Sequence, residues 1–116
     1  MNGPSLLELT LFVADVDRSF AFYTALGVDL FLVEEPGHPR HYDGALGNTA
    51  VQIYPADDRP ATTVQLGFRV PDIAAIAHRL DGVGVLYELP LRHRLTTRDP
   101  DGNRVHLSQL RDNMQD

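Results

Sequence analysis

Leu7 to Val28 reads LELTLFVADVDRSFAFYTALGV. Leu7, Leu9, Leu11 and Val13 alternate with Glu8, Thr10 and Phe12, the pattern of a strand with one buried face. Asp15 follows at the position of a helix N-cap. Val16, Phe20, Tyr23 and Leu26 then step at helical spacing. Gly27 offers the left-handed conformation that closes a helix. A second strand is expected over Val28–Val33, then a loop over Glu34–Arg40 (EEPGHPR). Two further strands, His41–Leu46 and Thr49–Tyr54, flank Gly47-Asn48, a hairpin-turn pair. The order is β-α-β-β-β.

The pattern then restarts. After Pro55–Ala61 (PADDRPA), Val64, Leu66, Phe68 and Val70 alternate, Asp72 offers a cap, and Ile73, Ile76, Ala77 and Leu80 form a helical stripe. A shift of 57 residues superposes Glu8 on Gln65 (8 + 57), Val13 on Val70, Asp15 on Asp72 and Gly27 on Gly84. A shift of 54 superposes Val51 on Val105, Gln52 on His106 and Ile53 on Leu107 (51 + 54 to 53 + 54), with Asp101-Gly102 falling opposite Gly47-Asn48 as a second hairpin turn. An internal repeat outweighs any single propensity. The expected fold is α+β: two tandem βαβββ modules forming a curved mixed sheet that encloses a cavity, with the helices outside. Module one spans about 5–55, the linker 56–61, module two about 62–109 and an acidic tail 110–116, all in one domain. One module of this size cannot bury both faces of its sheet, so the two pair within a chain or across a dimer.

Alternation assigns faces. With Leu7, Leu9, Leu11 and Val13 under the first helix, Glu8, Thr10 and Phe12 point to the cavity. With Val64, Leu66, Phe68 and Val70 under the second, Gln65 and Arg69 point there too. Burial of Val51, Ile53, Val105 and Leu107 turns Gln52, Tyr54, His106 and Ser108 inward. Glu8, Gln52, Gln65 and His106 thus occupy repeat-equivalent positions, and all four carry lone pairs. His38, His41, His78 and His93 share no ligand spacing. Asp101-Gly102 is read as a tight turn without chemistry.

LELTLFVADVDRSFAFYTALGV, with TAVQIY, VQLGFRVPD and DPDGNRVHL, resembles the vicinal oxygen chelate superfamily. That group includes glyoxalase I, bleomycin- and fosfomycin-resistance proteins and extradiol dioxygenases. The resemblance runs over Ser5 to Gln109. It implies that the residues matching Glu8, Gln52, Gln65 and His106 hold a divalent metal (Zn, Ni, Fe or Mn) in members that use one. The usual set there is His or Gln, then Glu, then His, then Glu; this chain has Glu, Gln, Gln, His. It also implies a homodimer, each cavity drawing on both subunits.

Two functions are open. The first is a small-molecule-binding protein of the glyoxalase/bleomycin-resistance type. It needs no cofactor and holds a drug-like or metabolite ligand against Thr10, Phe12, Tyr54, Arg69 and Ser108, with Glu8 paired to His106 or Arg69. The second is a metal-dependent lyase, isomerase or transferase that stabilises an enolate-like intermediate, with Glu8 as base. The composition, 43% hydrophobic and 22% charged, is that of a globular domain. A net charge of −6 disfavours nucleic acid. No apolar run reaches a membrane-spanning length, and the N-terminus has no signal-peptide pattern. Absence of Cys removes thiolate chemistry and suits a cytoplasmic location.

Overall fold

Asp15 and Asp72 start the two helices as the repeat requires. The Asp15 carboxylate accepts from the backbone N–H of Asp17 and Arg18, and Asp72 accepts from Ala75. A computed structural model describes residues 3–109. Module one runs β1 (Glu8–Val13), α1 (Val16–Leu26), β2 (Asp29–Val33), β3 (His41–Leu46) and β4 (Thr49–Pro55). Module two runs β5 (Leu66–Val70), α2 (Ile73–Gly82), β6 (Tyr87–Leu91), β7 (Arg94–Arg98) and β8 (Arg104–Gln109). Each module folds into a four-stranded mixed sheet, ordered β1-β4-β3-β2 and β5-β8-β7-β6. In both, the first strand pairs parallel with the last and the other pairings are antiparallel. The tail expected over 110–116 lies outside the described residues.

The alternation places the core. Leu11, Val13 and Ile53 from one sheet, and Leu95, Val105 and Leu107 from the other, join Phe22, Leu26, Ile76 and Leu80 of the helices in a single buried cluster. Gly27 and Gly84 both take positive φ, +104° and +73°, so the repeat extends to the helix exits. Leu7 departs from expectation. It lies just before β1, where its carbonyl accepts from Ala50 N, and it is 75% exposed. The last hairpin departs too. Gly47-Asn48 is a two-residue turn between Leu46 and Thr49, whereas Arg98 pairs with Arg104 across the wider loop 99–103.

That wider loop joins the modules. The Tyr23 hydroxyl of α1 donates to Asp99 Oδ2 at 2.6 Å, and Asp99 also accepts from Asp101 N, Asn103 N and Asn103 Nδ2. Ala14 N donates to Asp101 Oδ1, and Val64 N to Asn103 Oδ1. Arg79 of α2 donates to the Ala25 carbonyl at 2.8 Å. The modules are therefore held together on the helix side and at this loop. The two sheets do not close into one curved sheet, and Glu8, Gln65, Arg69, His106 and Ser108 on their open faces are solvent-exposed.

Burial, and then the hydrogen bond to Asp99, push the Tyr23 phenol well above its ordinary value of 10.0. The folded state keeps this proton over a range where the unfolded chain gives it up, so its contribution is complete below pH 10.0 and declines as pH rises further. Tyr23→Phe should cost about 1–3 kcal/mol in denaturant unfolding at neutral pH. It should also flatten part of the alkaline decline, the remainder coming from Tyr42 and Tyr87, whose phenols are raised as well. On β3, a Cβ at Gly44 would collide with the Asp29 carbonyl oxygen. Gly44→Ala should therefore destabilise by about 1–3 kcal/mol in the same assay.

Candidate functional site

Register decides which side chains share a face. In sheet one, Thr10 lies opposite Gln52 and Phe12 opposite Tyr54. The Thr10 hydroxyl donates to Gln52 Oε1 at 2.9 Å. Glu8 lies opposite Ala50, one pleat step along β1 from that pair. On the far side of β4, Asp43 pairs with Gln52, and His41 continues the register to Tyr54. The His41 and Tyr54 rings stack at 4.1 Å and 9°. Tyr54 lies 6.3 Å from the Phe12 ring, and the Arg59 guanidinium sits 4.2 Å above Phe12. The linker makes this possible, because Thr62 hydrogen-bonds both the N–H and the carbonyl of Phe12.

In sheet two, His106 lies opposite Gly67 on one side and Thr96 on the other. Ser108 lies between Arg69 and Arg94, and Arg104 faces Arg98. Gln65 immediately precedes β5. An open cavity of about 940 Å³ lies over this sheet, lined by His106, Arg104, Arg98, Thr96, Glu88 and Tyr87 among others.

The predicted quartet is therefore split between two faces. Glu8 and Gln52 belong to sheet one with Thr10, Phe12 and Tyr54. His106 belongs to sheet two with Arg69 and Ser108, and Gln65 stands at its edge. Within the chain, Glu8 forms an ion pair with neither His106 nor Arg69. The donor set fits a divalent cation poorly. Gln52 Oε1 already accepts from Thr10, the amides are neutral donors, and Glu8 brings the single carboxylate of the four. No group of three or more His, Cys, Asp or Glu side chains among the described residues is placed to hold a metal.

His41 and Asp43 are the side chains that sequence reasoning passed over. His41 is buried, its Nδ1 is 2.9 Å from the Pro39 carbonyl, and its Nε2 is 3.1 Å from Asp43 Oδ1. That second contact is an ion pair only when the ring carries both protons, and its angle falls short of a hydrogen bond, leaving Asp43 Oδ1 a buried acceptor without a donor. The signal was present. Counting back from the two-residue turn at Gly47-Asn48 puts residue 41 opposite 54 and residue 43 opposite 52. Arg94, Arg98 and Arg104 were equally readable, alternating with Leu95, Thr97 and Val105. Chemically, sheet one offers stacking surfaces and hydrogen-bond partners, and sheet two offers guanidinium groups around an imidazole. No Ser or Thr hydroxyl of either face is hydrogen-bonded to a His or a carboxylate among the described residues.

A family model described as the glyoxalase/bleomycin resistance protein/dioxygenase superfamily matches residues 5–107, and the chain belongs to that superfamily. Similar solved structures include TnmS3, an antibiotic binding protein from Streptomyces sp. CB03234, at 24% identity over 94% of this chain and 98% of that one, with a TM-score of 0.69. A glyoxalase/bleomycin resistance protein from the same Streptomyces is 26% identical over 90% of this chain and 100% of that one, with a TM-score of 0.65. The fosfomycin resistance protein FosX from Mesorhizobium loti is 18% identical, covering 93% and 91%, with a TM-score of 0.66. At these identities the likeness to TnmS3 and FosX shows the fold. Among curated proteins, none matches the sequence.

The donor set makes a prediction about metals. A cation present at 100 times its Kd would add about 2.7 kcal/mol of stability, which in a domain of this size raises Tm by roughly 10 °C or more. Zn, Ni, Mn or Fe(II) salts should instead leave the Tm of untagged, chelator-stripped protein unchanged. Metal analysis of the purified chain should find far less than one equivalent.

Proposed function

We propose that the chain is a small-molecule-binding protein of the glyoxalase/bleomycin-resistance type, working as a homodimer. The observation that carries this reading is the aromatic platform of sheet one, with Tyr54 stacked on His41 and flanked by Phe12 under Arg59. A planar ligand gains area and stacking energy there without any reacting group being required. The similarity to an antibiotic binding protein supports it.

The dimer follows from what the single chain leaves uncovered. Leu6, Leu7, Phe31, Leu32, Leu86 and Leu91 are 41–90% exposed, and all lie on or beside the outer strands β1, β2 and β6. Apolar outer strands of this kind need covering. A second copy that sets its sheet two against sheet one of the first would enclose a cavity between an aromatic face and a cationic one. Glu8, Gln52, Gln65 and His106 then become polar lining, and Thr10, Arg69 and Ser108 hydrogen-bonding positions.

Light scattering should return twice the chain mass. Titration calorimetry against planar aromatic compounds should find one site per chain, with Tyr54→Ala lowering affinity about tenfold, the equivalent of about 1.4 kcal/mol, and Tm rising with ligand. A monomer, an absence of binding across the panel, or steady consumption of the bound compound would each remove this reading.

A further inference from the structure

The geometry points to an anionic ligand: the compound held over sheet two carries a carboxylate, phosphonate or phosphate group, seated between Arg98 and Arg104 beside His106, with Arg69 and Arg94 farther along the same face. This rests on the binding reading above and adds the ligand's charge to it.

The chain as a whole is acidic, at −6, and all 10 of its basic residues are Arg. Four of them lie on one sheet face. Arg69, Ser108 and Arg94 form one row across β5, β8 and β7. Gly67, His106 and Thr96 form the next row, and Arg104 and Arg98 the one after. Neighbouring strands are about 4.8 Å apart and alternate residues about 6.8 Å. Thr96, His106, Arg98 and Arg104 line the open cavity, and Arg69 and Arg94 extend the cationic face beyond it.

Among the described residues these cations have no acidic partner. Arg69, Arg94 and Arg104 make no hydrogen bond or ion pair with any described residue. Arg98 gives one N–H to the Gly102 carbonyl and keeps the rest. The Glu88 carboxylate, opposite Thr96, is the lone acid of the face as the register defines it. Arg98 and Arg104 are directly opposed across the strand pair, an arrangement that opposes folding by repulsion. Like charges kept in register beside an open cavity of about 940 Å³ are explained by an oxyanion that bridges them. Guanidinium suits that task, because its fork of N–H groups matches the oxygens of a carboxylate or phosphoryl group. The acids of sheet one in a second copy are the competing counter-ions. Of these, Asp43 has one oxygen buried against His41, so it offers little to an arginine above it.

The test uses three compounds of one shape on the intact protein: 2-naphthoate, its neutral amide and the cationic 2-naphthylmethylammonium. Calorimetry at low salt should rank naphthoate about tenfold tighter than the amide, with the cation weakest. The margin should shrink as salt rises from about 20 to 300 mM, because screening acts on the charged term alone. Arg98→Gln and Arg104→Gln should each lower naphthoate affinity to that of the amide, with dimer mass unchanged. Equal binding of acid and amide overturns the inference and leaves the binding reading standing. So do arginine variants that become monomers without losing the preference, since the arginines then serve the second copy. Failure of all three compounds to bind removes the binding reading, and this inference with it.

Discussion

The Asp99 carboxylate is the point on which the assembly of the two modules turns. It is buried, and it accepts from four donors: the Tyr23 hydroxyl, two backbone N–H groups and the Asn103 amide. A buried charge is tolerated only when its lone pairs are met, and removal of one donor leaves a desolvated oxygen behind. The donors come from both modules, so the charge is satisfied only while α1 stays seated against loop 99–103. The same loop holds Ala14 through Asp101 and Val64 through Asn103, fixing how the chain leaves β1 and enters β5. A stretch that reads as a turn in the sequence is therefore the joint between the modules. It carries no chemistry of the ligand, but the relative placement of the two open faces depends on it.

The repeat made most of the architecture legible. Helix caps at Asp15 and Asp72, left-handed exits at Gly27 and Gly84, and buried pairs such as Ile53 and Leu107 all follow from period and spacing. The resemblance to the superfamily named the same fold. Closure was not legible. Whether two half-covered sheets enclose a cavity inside one chain depends on contacts between modules, and the polar ones are made by Tyr23, Asp99, Arg79 and Asn103, whose partners no periodic pattern reveals. The site shows the same division. Alternation identified the open-face residues of β1, β4, β5 and β8, but left out the middle strands, because the register of β3 and β7 was not counted back from their turns. Asp43, Arg94 and Arg98 were missed for that reason, and His41 was set aside because it shares no ligand spacing with the other histidines.

Net charge speaks only to distant partners. A total of −6 describes the average field felt by a distant polyanion. A small ligand inside a groove feels charges within about one Debye length, roughly 8–10 Å. On that scale sheet two is cationic, whatever the sum over the chain. The sequence pattern that produces this face is ordinary strand alternation, with arginine at the outward positions of β7 and β8.

Duplication of the backbone has not preserved duplication of the chemistry. Position for position, Thr10 corresponds to Gly67, Phe12 to Arg69, Gln52 to His106 and Tyr54 to Ser108. Module one has kept aromatic bulk at places where module two carries charge or almost nothing. Two identical faces would suit a ligand with two-fold character, or a metal held by matching donors from each half. Faces that differ this much suit a ligand with two unlike ends, one planar and apolar, the other polar and charged. The departure of Glu8, Gln52, Gln65 and His106 from the superfamily's usual donor order belongs to the same change. On the proposed binding function, those four positions line a pocket whose two faces suit the two unlike ends of one ligand.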